Sequence, residues 1–218
     1  MAMSTASAIS RCVLSEIQSI VETMVGGRED APAILAPDRA ALTHGGLRSQ
    51  MMRAAGELNA LGIGRGDRVA IVLPNGPEMA TAFLSVAAAA STAPLNPAYR
   101  AEELDFYLTD IGAKAIIVAE DETGPAVAVA ERLGISVLRL VAETDAPAGS
   151  FRLEGAPTGR RAPSELASPD DVALLLHFRR AAGNRRRCRD EEHIPLHGLS
   201  PSSLPRPRAA GRSSTLCR

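Results

Sequence analysis

Three short runs of apolar residues, separated by helical patterns, constrain the fold of this chain more than any other feature. They lie within DRVAIVL (67–73), KAIIVAE (114–120) and SVLRLV (136–141). A strand that is apolar along its whole length is covered on both faces, as in a parallel sheet. Because helical patterns alternate with these runs, the sequence predicts an α/β fold with a mostly parallel sheet flanked by helices.

Helical periodicity accounts for the segments around these runs. Ser15–Met24 places its apolar residues on one face, and a second helical pattern from 47 to 61 ends at Gly62. Further helices are predicted within RAEELDFYLTDIGA (100–113), ended by Gly112, and PAVAVAERLGI (125–135).

The helix after the first apolar run begins at a polar turn, PNGPE (Pro74–Glu78). Asn75 is a favourable N-cap and Glu78, three residues on, completes a capping box, which predicts a helix from there to about Ala90. A helix start of this kind also binds anions, but cap chemistry accounts for all of these residues.

Short extended segments complete the predicted sheet. APAILAPDRAALTHG (31–45) is typical of two strands around a Pro37–Asp38 turn, and TAPLNP (92–97) of another strand. Residues 144–169 are rich in Ala, Pro, Gly and Ser and are predicted to be a long connection. DDVALLLH (170–177) then returns as one more apolar strand.

The net charge of −1 conceals two oppositely charged parts. Residues 1–177 hold 14 basic and 22 acidic residues, whereas residues 178–218 hold 10 arginines and 3 acids. A basic end of this kind is typical of proteins that bind nucleic acid or acidic surfaces. Since the second part has no valine, no lysine and no hydrophobic period, it is predicted to be a disordered Arg-rich tail.

The cysteines and the start of the chain bear on its compartment. Cysteine occurs only at Cys12, Cys188 and Cys217, so no disulfide framework is expected and a cytoplasmic location is favoured. The start MAMSTASAIS lacks the charged and apolar regions of a signal peptide. The apolar stretch from Met79 to Leu95 is too short for a membrane span.

The order of these motifs resembles the N-terminal region of the AMP-forming acyl-CoA synthetases, within the adenylate-forming ligase superfamily. The resemblance covers residues 15–177 and is carried by GDRVAIVLPNGPE (66–78) followed by PLNP (94–97). PLNPAY with EELDFYL (102–108) is most similar to the oxalyl-CoA and fatty-acyl-CoA synthetase branch. The resemblance implies that the intact enzyme activates a carboxylic acid with ATP and Mg²⁺ to an acyl-adenylate, then transfers the acyl group to coenzyme A.

The resemblance also implies a phosphate-binding loop that this sequence does not show. In the family, Thr-Ser-Gly and a Thr/Gly run ending in Lys follow the strand that DDVALLLH resembles. Small residues let backbone N–H groups approach the phosphate oxygens, and the Lys offsets their charge. Here Phe178-Arg179-Arg180 occupies that place. We therefore expect residues 1–177 to be a partial N-terminal AMP-binding domain, and we carry over no catalytic, cofactor-binding or metal-binding residue from the family.

A shift of reading frame would explain the abrupt change of character. Codons such as CAC-TTC-CGG encode His177, Phe178 and Arg179, and one base later they read ACT-TCC-GG, which encodes Thr-Ser-Gly. A two-base deletion or a one-base insertion near codon 177 would thus convert the family's sequence into this one. The Arg-, Pro- and Ser-rich composition of residues 178–218 fits out-of-frame translation of a GC-rich gene.

Two motifs in the basic tail invite sharper interpretations that their surroundings do not favour. Arg185–Arg189 could contact phosphates, but it has no aromatic neighbour for base stacking and is followed by three acids. Cys188, His193 and His197 could ligate zinc, but the second cysteine of a zinc finger is missing, so chance spacing is favoured.

Four residues outside the tail and one short motif were also considered for function. His44 is expected at a turn, without a partner for a role as a base, and Cys12 is expected to be inert. Tyr99 and Tyr107 are predicted to pack a helix against the sheet. GRGD (64–67) is predicted to be a turn between a helix and a strand.

Three functional interpretations follow from these observations. The first is an acyl-CoA synthetase fragment that holds no cofactor and does not adenylate by itself, because catalysis needs all of its groups held in one site. The second is a non-catalytic binding module, or a partner of a separately encoded C-terminal part. The third is a nucleic-acid binder that uses the basic tail, although neither nucleic acid nor a membrane is an expected partner.

Overall fold

The computed structural model describes residues 28–176. These residues form, in chain order, β1 (Pro32–Ile34), β2 (Leu42–Thr43), α1 (His44–Ala60), β3 (Arg68–Val72), α2 (Pro77–Ala87), β4 (Ser91–Pro94), α3 (Ala101–Asp110), β5 (Ala115–Ala119), α4 (Pro125–Arg132), β6 (Ser136–Ala142) and β7 (Phe151–Gly155). The predictions for Ser15–Met24, Cys12, His177 and residues 178–218 lie outside the described residues.

One five-stranded sheet, in the order β4-β3-β5-β6-β7, organises the described part of the chain. The pairs β4–β3, β3–β5 and β5–β6 are parallel, and only β6–β7 is antiparallel. The central residues Ile71 and Ile117 are fully buried, as expected for strands covered on both faces. The predicted α/β fold with a mostly parallel sheet is confirmed.

Helices cover both faces of this sheet. On one face, Leu58 of α1 and Val86 of α2 pack in one cluster with Ile71 of β3. On the other face, Leu108 of α3 packs in a second cluster with Ile116 of β5, together with apolar residues of α4. Since α2 and α3 lie on opposite faces, the chain passes from β3 to β4 on one side of the sheet and returns to β5 on the other.

The predicted connection at 144–169 contains a strand that the sequence analysis missed. β7 pairs antiparallel with β6 at the edge of the sheet. Within it, Phe151 and Leu153 are buried while Arg152 and Glu154 are exposed, which is the period of two of a strand with one covered face. The alternation lasts for only five residues between Gly- and Pro-rich stretches, so composition concealed it.

The start of α2 also differs from the prediction. The N-cap is Gly76 rather than Asn75, and no side chain caps this helix. Pro77 occupies the first helical position, where its fixed φ and missing N–H are best tolerated. The carboxylate of Glu78 forms an ion pair with Arg39 instead of closing a capping box.

The remaining boundaries agree closely with the sequence. Gly62 and Gly112 follow α1 and α3 with φ of +89° and +59°, the left-handed backbone that ends helices. α2 ends at Ala87, three residues before its predicted end at Ala90. β1 and β2 pair antiparallel around the predicted turn, in which Asp38 has a φ of +58°.

The apolar strand predicted at 170–177 is reduced to one parallel bridge, between Leu174 and Thr92 of β4. The Thr92 amide donates to the Ala173 carbonyl, and the Leu175 amide donates to the Thr92 carbonyl, each over 2.9 Å. The next bond of a parallel ladder would need an N–H at Pro94, which proline lacks. The segment 173–175 therefore lies beside β4, at the sheet edge opposite to β7, without forming a full strand.

Candidate functional site at the carboxyl edge of the sheet

Open α/β sheets bind ligands outside the carboxyl ends of their strands. Since Leu174 pairs with Thr92 in a parallel bridge, Leu176 is level with Pro94, the last residue of β4. Leu176, the last described residue, therefore lies beside the end of β4 at the carboxyl edge, and this point is called the exit. We define this exit, together with the loops that follow β3 and β4, as the candidate site.

The carboxyl edge is unsuited to phosphate at the point where the chain order reverses, between β3 and β5. The loop after β5 carries three consecutive acids, Glu120–Glu122. Arg139 of β6 holds this loop by donating to the carbonyls of Glu120 at 2.8 Å and Glu122 at 2.9 Å. Because like charges repel, a phosphate is disfavoured in this loop.

A bidentate ion pair between Arg65 and Asp171 holds the segment that leads to this exit. Arg65 Nε lies 2.7 Å from Asp171 Oδ2, and Arg65 Nη2 lies 3.0 Å from Asp171 Oδ1. Asp171 Oδ2 also accepts from the Ser168 amide at 2.7 Å. The hydrogen bonds from Arg65 hold the pKa of Asp171 below its ordinary value, and those to Asp171 raise the pKa of Arg65. Both groups thus stay charged under ordinary conditions.

The turn that carries Arg65 is itself held in place, and it confirms the predicted GRGD turn between α1 and β3. Asp67 Oδ2 accepts from the Gly64 amide at 2.9 Å and from Lys114 Nζ at 2.7 Å. Lys114, the only lysine of the chain, also donates to the Gly62 carbonyl at 2.8 Å. Arg65 therefore projects from a turn that is fixed to the start of β5.

Arg39 connects the loops at the β6 side of the carboxyl edge through an ion pair and hydrogen bonds. Arg39 forms a partly buried ion pair with Glu78 in the first turn of α2. Its Nη2 also donates to the carbonyls of Glu143 at 2.8 Å and Ala146 at 3.0 Å, whereas its Nε is buried without a partner. One guanidinium thus links the β1–β2 turn, the start of α2 and the loop before β7.

The residues that the sequence singled out within this part of the chain do not converge on the candidate site. His44 is the first residue of α1 rather than a turn residue, because Thr43 caps this helix through a 3.1 Å bond from Gly46 N. Within residues 28–176 the His44 imidazole has no hydrogen-bonded partner. Tyr107 is buried and stacks on Tyr99 with 5.0 Å between ring centroids. Both tyrosines pack in the cluster on the α3 and α4 face, as predicted.

ATP and Mg²⁺ need a large pocket and a cluster of metal ligands. A cleft of about 140 Å³ lies at the amino ends of β3 and β4, lined by Arg68, Ser91 and Asp171 among others. Pockets that bind ligands of the size of ATP have volumes of about 300–1,000 Å³. In open α/β sheets they lie at the carboxyl edge, opposite to this cleft. Within residues 28–176, no group of three His, Cys, Asp or Glu side chains is placed to hold a metal ion. This cleft is therefore too small for ATP, and the described residues offer no cluster for its metal.

Among the described helices, none is both long and apolar enough to cross a bilayer.

The anchors of the candidate site were missed by sequence reasoning. Arg65 lies in a motif that indicated only a turn, and Asp171 lies at the start of a predicted strand. They are 106 residues apart, and no local pattern joins positions so distant. The charge of Asp171 directly before an apolar run is the one signal that could have pointed to an anchored strand end.

Comparison with known proteins places this geometry in a family. The family model described as AMP-binding enzyme matches residues 21–177. An oxalate–CoA ligase of Arabidopsis thaliana is 35% identical over 167 residues, which are 74% of this chain and 32% of the relative. A feruloyl-CoA synthase of Amycolatopsis is 32% identical over 161 residues, 69% of this chain and 30% of the relative.

Solved structures agree with the fold. The crystal structure of apo MatB from Rhodopseudomonas palustris superimposes with a TM-score of 0.57 and 22% identity, covering 76% of this chain and 33% of that protein. This chain thus spans about a third of the length of the relatives that it matches. The family match covers most of the sequence, and the chain belongs to the family of AMP-binding enzymes.

Proposed function

We propose that this chain is the N-terminal part of an AMP-forming acyl-CoA synthetase. The intact enzyme would activate a carboxylic acid with ATP to an acyl-adenylate and transfer the acyl group to coenzyme A in the cytoplasm. The family match and relatives that are named as CoA ligases and synthases support this proposal. Those two relatives are named for different acids, oxalate and ferulate, so the proposal commits to the reaction and not to the acid.

The observation that carries the proposal is the exit of the chain beside β4. Leu176 is level with the end of β4, at the carboxyl edge of the sheet. A loop that starts there would direct its first backbone N–H groups to the edge where α/β folds bind phosphates. This exit is also the place at which the family resemblance expects Thr-Ser-Gly.

We further propose that residues 178–218 arise from a shifted reading frame and that the 218-residue chain does not adenylate by itself. Phe178, Arg179 and Arg180 have bulky side chains where close approach of the backbone to phosphate requires small ones. Neither the described cleft nor a described cluster of carboxylates is matched to ATP and Mg²⁺, so no chemical step is assigned to these residues. In the intact enzyme, their contribution would be the scaffold that fixes where the phosphate-binding loop begins.

Two experiments test these proposals. The first is to sequence the gene from codon 165 to well beyond codon 218 and to translate all three forward frames. Thr-Ser-Gly followed by further synthetase motifs in another frame would support the shifted frame. Their absence from every frame would overturn it and would favour the binding-module or nucleic-acid interpretation.

The second experiment measures acid-dependent exchange of pyrophosphate into ATP by the purified 218-residue chain. A panel of short, long and aromatic carboxylic acids is used, because the acid is not specified. We expect no exchange above a no-acid control. Exchange with any acid would show that residues 178–218 complete a working site and would overturn the proposed inactivity.

A further inference from the structure

We propose that Arg65 and Asp171 act as a positioning pair that sets the register of residues 172–175 on β4. This register determines the point at which the chain leaves the carboxyl edge of the sheet. Only the last step, that in the intact enzyme a phosphate-binding loop would begin there, rests on the proposed function. The pair itself lies near the amino ends of β3 and β4, and Asp171 is five residues before Leu176. The pair therefore acts through the segment and not by contact with a ligand.

The segment has few other means of fixing its register. It shares one bridge with β4, made of the two backbone bonds at Thr92, and Pro94 prevents the next bond. One more contact comes from Ser91 Oγ, which donates to the Val172 carbonyl at 2.5 Å. A strand held by so few bonds slips easily unless another interaction selects one pairing.

Burial of side chains does not supply that selection. Of residues 171–176, only Ala173 is buried, and the other five are partly exposed. In most strands a large apolar side chain in a core pocket specifies the register. Leu175 is only partly buried where it packs against the cluster on the α3 and α4 face. One buried methyl group and one partly covered leucine discriminate less between alternative registers than a fully buried large side chain, since the free energy of burial scales with apolar area.

The ion pair has the directional geometry that the apolar contacts lack. Two parallel N–H···O bonds from Arg65 fix both the position and the orientation of the Asp171 carboxylate. The backbone around Asp171 is closed by a bond from its amide to the Ser168 carbonyl at 3.0 Å. Arg65 lies on the turn that the bond between Lys114 and Asp67 fixes to the start of β5. The ion pair therefore fixes the position of the segment relative to the centre of the sheet.

Hydrogen exchange of two amides in the full 218-residue chain tests the pair. The amides of Thr92 and Leu175 make the two bonds of the bridge, and the buried Ile117 amide of β5 reports on unfolding of the whole sheet. Asp171→Asn and Arg65→Met should each speed exchange at Thr92 and Leu175 about three- to tenfold, without a change at Ile117. Arg65→Met keeps an apolar stem, so lost packing is kept small.

The variant with both substitutions shows whether Arg65 and Asp171 act as a pair or as two independent structural residues. If Arg65 and Asp171 act on the segment through each other, the variant with both substitutions should exchange no faster than either single variant. As a matched control, Asp105→Asn removes the exposed ion pair between Asp105 and Arg132 on α3 and α4. This control should leave both bridge amides unchanged.

Three results would overturn the proposal. They are unchanged exchange at Thr92 and Leu175 in both single variants, additive effects in the double variant, and an equal effect of Asp105→Asn. None of these outcomes depends on adenylation. Failure of the positioning pair is therefore distinguishable from failure of the proposed function, which the gene sequence and pyrophosphate exchange decide.

Discussion

The side-chain amide of Gln50 on α1 donates to the backbone carbonyl of Phe151 on β7 over 2.8 Å. Seven residues further along α1, Glu57 Oε2 accepts a hydrogen bond from the Leu153 amide over 3.0 Å. β7 is an edge strand, so its outer N–H and C=O groups have no neighbouring strand. Side chains of α1 satisfy two of them and thus cover an edge that would otherwise attract another chain.

Because Gln50 is buried and its amide is bonded to the Phe151 carbonyl, replacing it should destabilise the protein. Gln50→Leu keeps the size of the side chain but leaves the buried Phe151 carbonyl without its donor. We expect the free energy of unfolding to fall by about 1–3 kcal/mol, measured by urea denaturation followed by circular dichroism. Ser49→Ala, at the exposed neighbouring position, should change it by less than about 0.5 kcal/mol. Equal losses in the two variants would contradict the prediction.

Gly149 lies where the loop before β7 meets the start of α2, and we predict that no larger residue is tolerated there. A Cβ at this position would lie 2.3 Å from Thr81 Oγ1 and 2.9 Å from the Pro77 carbonyl oxygen, and the φ is +84°. Gly149→Ala should lower the free energy of unfolding by about 2–5 kcal/mol, the sum of backbone strain and overpacking.

Gly134→Ala separates these two causes. Gly134 has a φ of +70°, and a Cβ there would meet no atom within 4 Å. The free energy of unfolding of this variant should therefore fall only by the cost of the left-handed backbone, about 1–2 kcal/mol, in the same urea experiment. If Gly134→Ala were as damaging as Gly149→Ala, the close approach to Thr81 and Pro77 would carry no weight.

The sheet was predictable from sequence because its central strands carry strong, continuous signals. Runs such as RVAIV and AIIVA have a single stable solution, burial on both faces. β7 was not predictable, since its alternation is short and its pairing with β6 depends on contacts with α1. The segment 170–177 was overpredicted because its apolar composition hides the effect of Pro94, which lies on a different strand.

The candidate site was predictable in its place but not in its parts. The family resemblance indicated only that a phosphate-binding loop follows the segment 170–177, and the bridge at Leu174 shows that this segment lies beside β4. The anchors Arg65 and Asp171, and likewise Arg39 and Glu78, are brought together only by the fold, across 106 and 39 residues. A pattern that is read along the chain holds no information on such pairs.

Arg39 should be one of the most important charged residues for stability. Its guanidinium is about four-fifths buried and serves Glu78 and the carbonyls of Glu143 and Ala146 together. Arg39→Met would leave the Glu78 carboxylate partly buried and unpaired, so we expect a loss of about 1.5–3 kcal/mol in the free energy of unfolding. Thermal and urea denaturation both provide the measurement.

The exposed pair between Arg28 and Asp30 is the control for Arg39. Its side chains are 79% and 74% exposed, against 19% and 22% for Arg39 and Glu78. Arg28→Met should therefore change the free energy of unfolding by less than about 0.5 kcal/mol, as is usual for surface ion pairs. A comparable loss in both variants would show that Arg39 acts only through its general charge.

The ion pair of Arg65 and Asp171 predicts a defined dependence of stability on pH. The pKa of Asp171 is lowered in the folded protein from the usual 3.8, mainly by the hydrogen bonds from Arg65. The stabilisation that follows is fully present above the unfolded pKa and is lost as the pH falls through the folded pKa. The difference in free energy of unfolding between the unaltered protein and Asp171→Asn should thus be constant above about pH 5 and shrink below about pH 4.

Arg65→Met provides the complementary measurement. It removes the cause of the lowered pKa, so the pKa of Asp171 should return toward its ordinary value. The part of the free energy of unfolding that the unaltered protein loses at low pH through Asp171 should then be absent from this variant, as it is from Asp171→Asn. Urea denaturation of all three proteins between pH 3 and pH 7 measures both differences. A difference that grew as the pH fell would mean that the folded state raises the pKa of Asp171, which would contradict the hydrogen bonding described for this pair.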